Sequence, residues 1–407
     1  MKRIVILIIL LSTYCTSYCQ INYNETFIFN NTAGGSSFSF DQTNDDGYII
    51  VGKDSRIFKV DSVGGIVFDL NLGGFYLSSV KKTDNDFIIS KGVGAGGAYT
   101  TSLVKVNSNG GVIFENAISD GGSAQDVLVL DDNSYIVSGG TQPCGCGGSW
   151  ESRVTKFSNS GNNIWSDVYC VNCGCSCNIG DEMATESIDV GDGVVVAGYI
   201  GTGGSYAYGQ TDGFLRKYDY NGNVIWTRIH GNNQQYTYYN SIAKTTDNNI
   251  IGIGHIIDDD AVMTNVPEDF WVVKSDMDGN IIWEKSFGSG NSNVAWDVLV
   301  TESNEYIVSG LTQSKDIWLI KLDSAGNLIW QDSIVSSGDA LNISHQSLQL
   351  NNSKLSILYN DVHDIFIREY LISFSGCTDS TAVNYDPSAN TDDGSCINNN
   401  CNSISGF

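Results

Sequence analysis

Cysteine is the residue type in this 407-residue chain best equipped for chemistry, and six of its eleven copies crowd one region. Cys144 and Cys146 form one group, and Cys170, Cys173, Cys175 and Cys177 form a second. Thiols at these spacings can staple loops as disulfides or, as thiolates, hold zinc or copper. An exported chain meets oxidising conditions, which favours staples. A disulfide needs Cα atoms near roughly 5.5 Å with converging Cβ vectors, and residues two apart offer this poorly. At least one bridge is therefore expected between the two groups, with Cys144 or Cys146 as a partner.

Other side chains suit binding rather than bond-breaking. Trp150, Tyr206 and Tyr208 fall in loop regions, where an aromatic ring can stack on a sugar face or pack locally. His230 and His255 fall at neighbouring loop bases and join them as candidate ligand contacts. Asp258, Asp259, Asp260, Glu268 and Asp269 make one loop acidic, which suits a cation or plain solvation. No Ser/His/Asp set and no paired carboxylates stand out, so the catalytic assignment is none.

The start of the chain reads as a secretory leader over residues 1–19. Lys2 and Arg3 precede a short apolar run from Ile4 to Leu11, and Ser17 and Cys19 fit the small positions before a cut. The run is too short to span a bilayer. Tyr14 and Tyr18 occupy the places before Cys15 and Cys19 where a lipid-anchor motif wants a small residue. Losing Lys2 and Arg3 takes the formal net charge from −25 to −27. That charge argues against nucleic acid and anionic membrane as partners. A monomer facing an extracellular protein or glycan is expected.

What must position these residues is a ten-residue hairpin written six times: 59–68, 105–114, 156–165, 217–226, 274–283 and 321–330. Each copy opens on Lys and closes on Phe or Trp, while successive copies start 46 to 61 residues apart. A unit constant inside and elastic outside is a structural repeat with loops of free length. Asp, Asn or Ser opens the turn by bonding its own backbone, and Gly supplies the positive φ that returns the chain. The six lysines, with Arg368 in a seventh copy, read as a rung of buried stems and paired heads.

Before each hairpin come a short strand, a tight polar turn and a very apolar strand, as at Tyr135 to Gly139 and Tyr306 to Gly310. The seventh copy lacks a fourth strand, and residues 25–31 form a strand without partners. Complementary incomplete ends and near-continuous apolar strands predict an all-β fold, a seven-bladed β-propeller closed by the N-terminal strand. Six and eight blades stay open to a miscount, and a β-helix is the runner-up. The expected boundaries are 1–19 leader, 20–375 propeller and 376–407 tail. The turns within hairpins are tight, and the loops on the opposite face carry all the length, which marks that face for binding.

The repeat resembles the pyrroloquinoline-quinone-type propeller repeat and the secreted propeller repeats of Bacteroidetes over roughly residues 25–374. That resemblance speaks to fold and little to function. The vicinal Cys-Cys pair usual in the quinone enzymes is absent. After the ring, Cys377-Thr-Asp379, Asn384-Tyr-Asp386, Asn390-Thr-Asp392-Asp393 and Cys396 closely resemble a Cys-rich module of secreted Bacteroidetes proteins. The resemblance implies a disulfide-stapled module, with Cys377 to Cys396 as its staple. It also offers Asp379, Asn384, Asp386, Asn390, Asp392 and Asp393 as oxygen ligands for calcium. Such proteins often continue into further modules or a sorting domain, and the lack of either here is what a truncated product would show.

The reading is thus a secreted binding or adhesion scaffold working through the long-loop face, extracellular or on the cell surface. The alternative is a polysaccharide-active or quinone-dependent propeller enzyme.

Overall fold

The structure is a computed structural model. It describes residues 23–30, 37–52, 55–73, 76–95, 98–118, 122–142, 150–169, 181–201, 211–231, 235–258, 268–288, 292–335, 341–343, 346–351, 354–361, 364–371, 375–376, 378–382, 391–392 and 396–397. Every regular element among them is a strand.

The strands form seven four-stranded antiparallel sheets. Blade one is Ser37–Gln42, Tyr48–Gly52, Arg56–Val60 and Ile66–Asn71. Blade two is Tyr76–Lys82, Asp86–Ala95, Ala98–Asn107 and Val112–Ile118. Blade three is Gly122–Val129, Tyr135–Thr141, Glu151–Phe157 and Asn163–Tyr169. Blade four is Glu182–Asp189, Val194–Gly201, Thr211–Tyr218 and Val224–His230. Blade five is Gln235–Lys244, Ile250–Asp258, Glu268–Ser275 and Ile281–Phe287. Blade six is Val294–Val300, Tyr306–Leu311, Ile317–Leu322 and Leu328–Ile334. Blade seven takes Leu348–Asn351, Lys354–Asn360 and Asp364–Leu371 from the end of the chain, and Tyr23–Asn30 from its beginning. Tyr23 stands opposite Tyr370 and Asn30 opposite Asp364. The ring is therefore closed by a shared sheet.

Apolar side chains on both faces of each blade meet those of the neighbours, so the core is divided among the inter-blade clefts. Ile49, Val51 and Ile57 of blade one meet Leu77, Val80 and Ile89 of blade two. Val195 and Leu215 of blade four meet Tyr239, Ile242 and Trp271 of blade five. This two-sided burial explains why the second strands read as unbroken apolar runs.

The hairpins fold as their residues dictate. Asp323 Oδ1 accepts the N–H of Ala325 at 2.9 Å and of Asn327 at 2.8 Å, and Gly326 takes a φ of 76°. The ladder then shifts after Lys321, giving a bulged return. The glycine has a second duty. A Cβ on Gly222 would meet the Trp165 ring at 2.7 Å, and one on Gly326 would meet Trp283 at 2.8 Å. The hairpin aromatics of blades one to five thus rest on the turn glycine of the next blade. All four hairpin tryptophans sit on the outermost strand of their blades; Trp226 is buried there, and Trp165, Trp283 and Trp330 are half-buried.

The lysine rung is paired within each blade. Lys59 Nζ lies 2.8 Å from Asp45, Lys217 2.8 Å from Asp192, Lys274 2.6 Å from Asp247 and Lys321 2.6 Å from Glu305. Lys156 and Lys105 make looser pairs with Asp132 and Asp86, at 3.4 and 3.6 Å. Each partner sits at the first turn of its own blade, so the rung pins the tight-turn face.

Candidate functional site

On the long-loop face, blades three, four and five build a continuous aromatic shelf. Trp150 begins it at the edge of blade three. Its N–H donates to Asp181 Oδ1 at 3.0 Å, and its carbonyl accepts the N–H of Glu182 at 2.8 Å. Its ring lies over Gly140 beside Met183: a Cβ on Gly140 would meet the Met183 sulfur at 2.8 Å and the indole at 3.1 Å. Met183 stands opposite Tyr199 in the sheet of blade four. Tyr199 meets Tyr238 of blade five edge to face, with ring centroids 5.1 Å apart. Tyr238 pairs across the sheet with His255 and stacks on it at 4.3 Å with a 13° tilt.

These residues come from strand ends at the loop face, which is why their rings stay half-buried: one side packs on the sheet and the other meets solvent. Burial holds the His255 ring down to about 4, so it stays neutral at physiological pH. Asn240 Nδ2 lies 3.5 Å from His255 Nδ1, which leaves the imidazole proton on Nε2. Burial, aided by the charge of Asp181 and by Tyr238, pushes the Tyr199 hydroxyl up to about 12. The shelf is thus neutral and hydroxyl-edged, with Tyr199 set edge-on to the stacked Tyr238–His255 pair. It can stack on an apolar ring face and donate hydrogen bonds at its rim.

His230 has a different post. Its Nε2 lies 2.9 Å from the Gly279 carbonyl, which can only accept, so the proton is on Nε2. Nδ1 then accepts from the Tyr239 hydroxyl at 2.7 Å. Buried and satisfied at both nitrogens, His230 is a strut beneath the face rather than a surface contact.

Of the other residues singled out from sequence, Tyr206, Tyr208, Cys144, Cys146, Cys170, Cys173, Cys175, Cys177 and Cys377 lie outside the described residues. So do Asn384, Asp386, Asn390 and Asp393. Cys396 is disulfide-bonded. Asp379 accepts the N–H and hydroxyl of Thr381 at 2.9 and 2.7 Å, and these bonds hold its carboxyl low. Asp392 is placed by its backbone, opposite Gly376 in a short parallel bridge. Among the described residues, no group of three or more His, Cys, Asp or Glu is placed to hold a metal ion.

The sequence reading missed a polar ring around the central channel. In blades one to six the innermost strand carries a bulge, and the residue after it is Ser39, Ser79, Asp126, Glu186, Ser241 or Asp297. Several of these side chains accept an N–H from the edge strand of the next blade. Ser39 takes Val80 at 3.1 Å, Ser79 takes Val127 at 3.2 Å and Asp126 takes Ser187 at 3.0 Å. Glu186 takes Ile242 at 2.9 Å and Asp297 takes Leu348 at 2.7 Å. The edge N–H groups need acceptors and the neighbouring side chains provide them. The inner strands of blades one to five carry several polar residues each, so nothing in the sequence set these residues apart.

The ring is crowded with acid. Burial first, then the charges of Asp126 and Asp297, push Glu186 up to about 8. Burial pushes Asp297 up to about 6, against the hydrogen bond from Leu348 and the charge of Lys81. Burial alone would lower Lys81, but Asp126, Asp41, Glu186 and Asp297 outweigh it and hold its ammonium above the usual range. Lys81 and Glu186 keep part of their surface open to the channel, although protein crowds them closely.

No family model matches the chain, and no curated protein matches it. Solved structures do. Virginiamycin B lyase from Staphylococcus aureus aligns over 87% of this chain and 100% of its own at 9% identity, with a TM-score of 0.56. The Pan2 WD40 domain of Neurospora crassa aligns over 88% and 98% at 9% identity, with a TM-score of 0.53. BamB from Moraxella catarrhalis aligns over 81% and 83% at 11% identity, with a TM-score of 0.47. At such identities the first two likenesses speak for architecture alone, and with the seven blades they make this chain a seven-bladed β-propeller.

Proposed function

We propose that the protein is an extracellular binding scaffold that takes its ligand, a glycan or a protein, on the aromatic shelf of the long-loop face. The observation that carries this reading is the run of half-buried rings, Trp150, Tyr199, Tyr238 and His255, crossing three blades on one face. Four of the five longest connections between blade strands, 142–150, 170–181, 202–210 and 259–267, leave the strands of the same three blades, and the fifth, 335–347, joins blades six and seven. Long loops on a rigid scaffold are the usual seat of recognition. The channel carboxyls are less suited to catalysis, because Glu186 and Asp297 are committed to backbone N–H groups of the next blade. No helix among the described residues is long and apolar enough to cross a membrane.

The test is a glycan and extracellular-protein array with the intact chain, followed by Tyr238→Ala and Tyr199→Ala. Each variant should weaken captured binding by about tenfold or more while leaving the far-ultraviolet spectrum unchanged. Full affinity in both variants would move the site elsewhere.

A further inference from the structure

We propose that Gln346 is the clasp that closes the ring at its inner edge. Blade seven is assembled from both ends of the chain, and the shared sheet closes only its outer edge. At the channel, Gln346 precedes the inner strand Leu348–Asn351 and reaches three other blades. Its Oε1 accepts the hydroxyl of Ser39 in blade one at 2.9 Å and that of Ser79 in blade two at 2.7 Å. Its Nε2 donates to Asp126 Oδ1 in blade three. A carboxylate only accepts, so the amide orientation is settled by its partners.

Both lone pairs of the amide oxygen are used. Ser39 donates to it, Ser79 Oγ lies 2.7 Å from it and 3.2 Å from Asp126 Oδ1, and the two serines accept the Val80 and Val127 N–H groups in turn. Asp126 Oδ2 is occupied by Ser187, backbone and side chain. Gln346 is 6% exposed and holds a φ of 56°, left-handed for a residue with a side chain. Such a conformation persists only where the surroundings over-determine it. Partners 220 to 307 residues away in sequence do so here. The ring thus has two closures: a strand at the rim and a glutamine at the hub.

The test uses the full chain and native-state hydrogen exchange read by peptide. Gln346→Glu replaces the amide donor to Asp126 Oδ1 with a second carboxylate oxygen. Exchange in 23–30 and 354–371 should speed up by about tenfold or more, with blades four and five unchanged. Adding Asp126→Asn restores a donor–acceptor pair and should bring protection back to within about threefold of the parent. Gln346→Gly relieves the backbone and removes the side chain, and it should loosen the same peptides if the Glu variant fails to fold. Parent-like exchange in the single variants, uniform loosening of all blades, or a double variant no better than Gln346→Glu would each overturn the clasp.

Discussion

Trp226 rests on Gly279: a Cβ built on that glycine would lie 2.9 Å from the indole. The two residues belong to successive blades, one closing its hairpin and the other in the turn of the next, and the same contact recurs between blades one to six. Trp226→Ala should cost about 3 kcal/mol, the lower end for a buried tryptophan, because its edge stays exposed. Gly279→Ala adds backbone strain at a φ of 76° to the clash and should cost on the order of 1–3 kcal/mol. Urea unfolding measures both, and a neutral Gly279→Ala would separate the glycine from inter-blade packing.

The lysine rung predicts acid sensitivity. Burial works against Asp247, but hydrogen bonds from Lys274, Thr245 and Asn249 hold it down to about 2. A depressed carboxyl stabilises the fold above its unfolded value of 3.8, and that stability is lost as pH falls toward 2. Asp247 is 42% exposed, so solvent screening limits the pair to on the order of 1 kcal/mol. Asp247→Asn should therefore melt below the parent at pH 7 and level with it near pH 2. An equal deficit at both values would assign the loss to packing.

Glu186 predicts the opposite slope. Its folded value is raised to about 8 from 4.5, so its contribution is whole below 4.5 and is lost as pH rises through 8. Glu186→Gln keeps an oxygen for the Ile242 N–H and cannot ionise. Melting temperatures between pH 5 and 9 should fall for the parent and stay flatter for the variant, which becomes the more stable protein at the alkaline end. Parallel curves would show that Glu186 titrates normally.

Removing residues 1–30 takes away the outer strand of blade seven and bares the edge of Asp364–Leu371. The shortened chain should melt less cooperatively and aggregate through that edge, as light scattering would show. Parent-like melting would mean that three strands suffice.

The ring was legible in the sequence because its defining spacing is local. Lys274 and Trp283 face each other across one turn, and Asp276, Gly279 and the bulge between them are all encoded within ten residues. The missing fourth strand of the last repeat was legible by subtraction, although the strand itself is Tyr23–Asn30 rather than 25–31. The hub was not legible, because Asp126 and Gln346 meet across 220 residues and nothing near either names the other. The shelf was half legible. Trp150 and His255 stood out near loop bases, whereas Tyr199 and Tyr238 fall in stretches that read as long loops and are in fact strand residues of Val194–Gly201 and Gln235–Lys244. His230 and His255 look alike in sequence, and the Tyr239 hydroxyl beneath one ring separates their roles.

The pairing of Tyr23 with Tyr370 also sets a clock. Tyr23–Asn30 leaves the ribosome first among the blade strands, and its partner Asp364–Leu371 leaves last among them. At ordinary elongation speeds of about 5–20 residues per second, the first strand waits roughly 20–70 s for its neighbour. Six blades can form during that interval, and none of them uses it. A ribosome that stalls before Leu371 therefore releases a molecule with unmatched edges at both ends, and the cell's quality control can tell a finished chain from an unfinished one by the state of a single sheet.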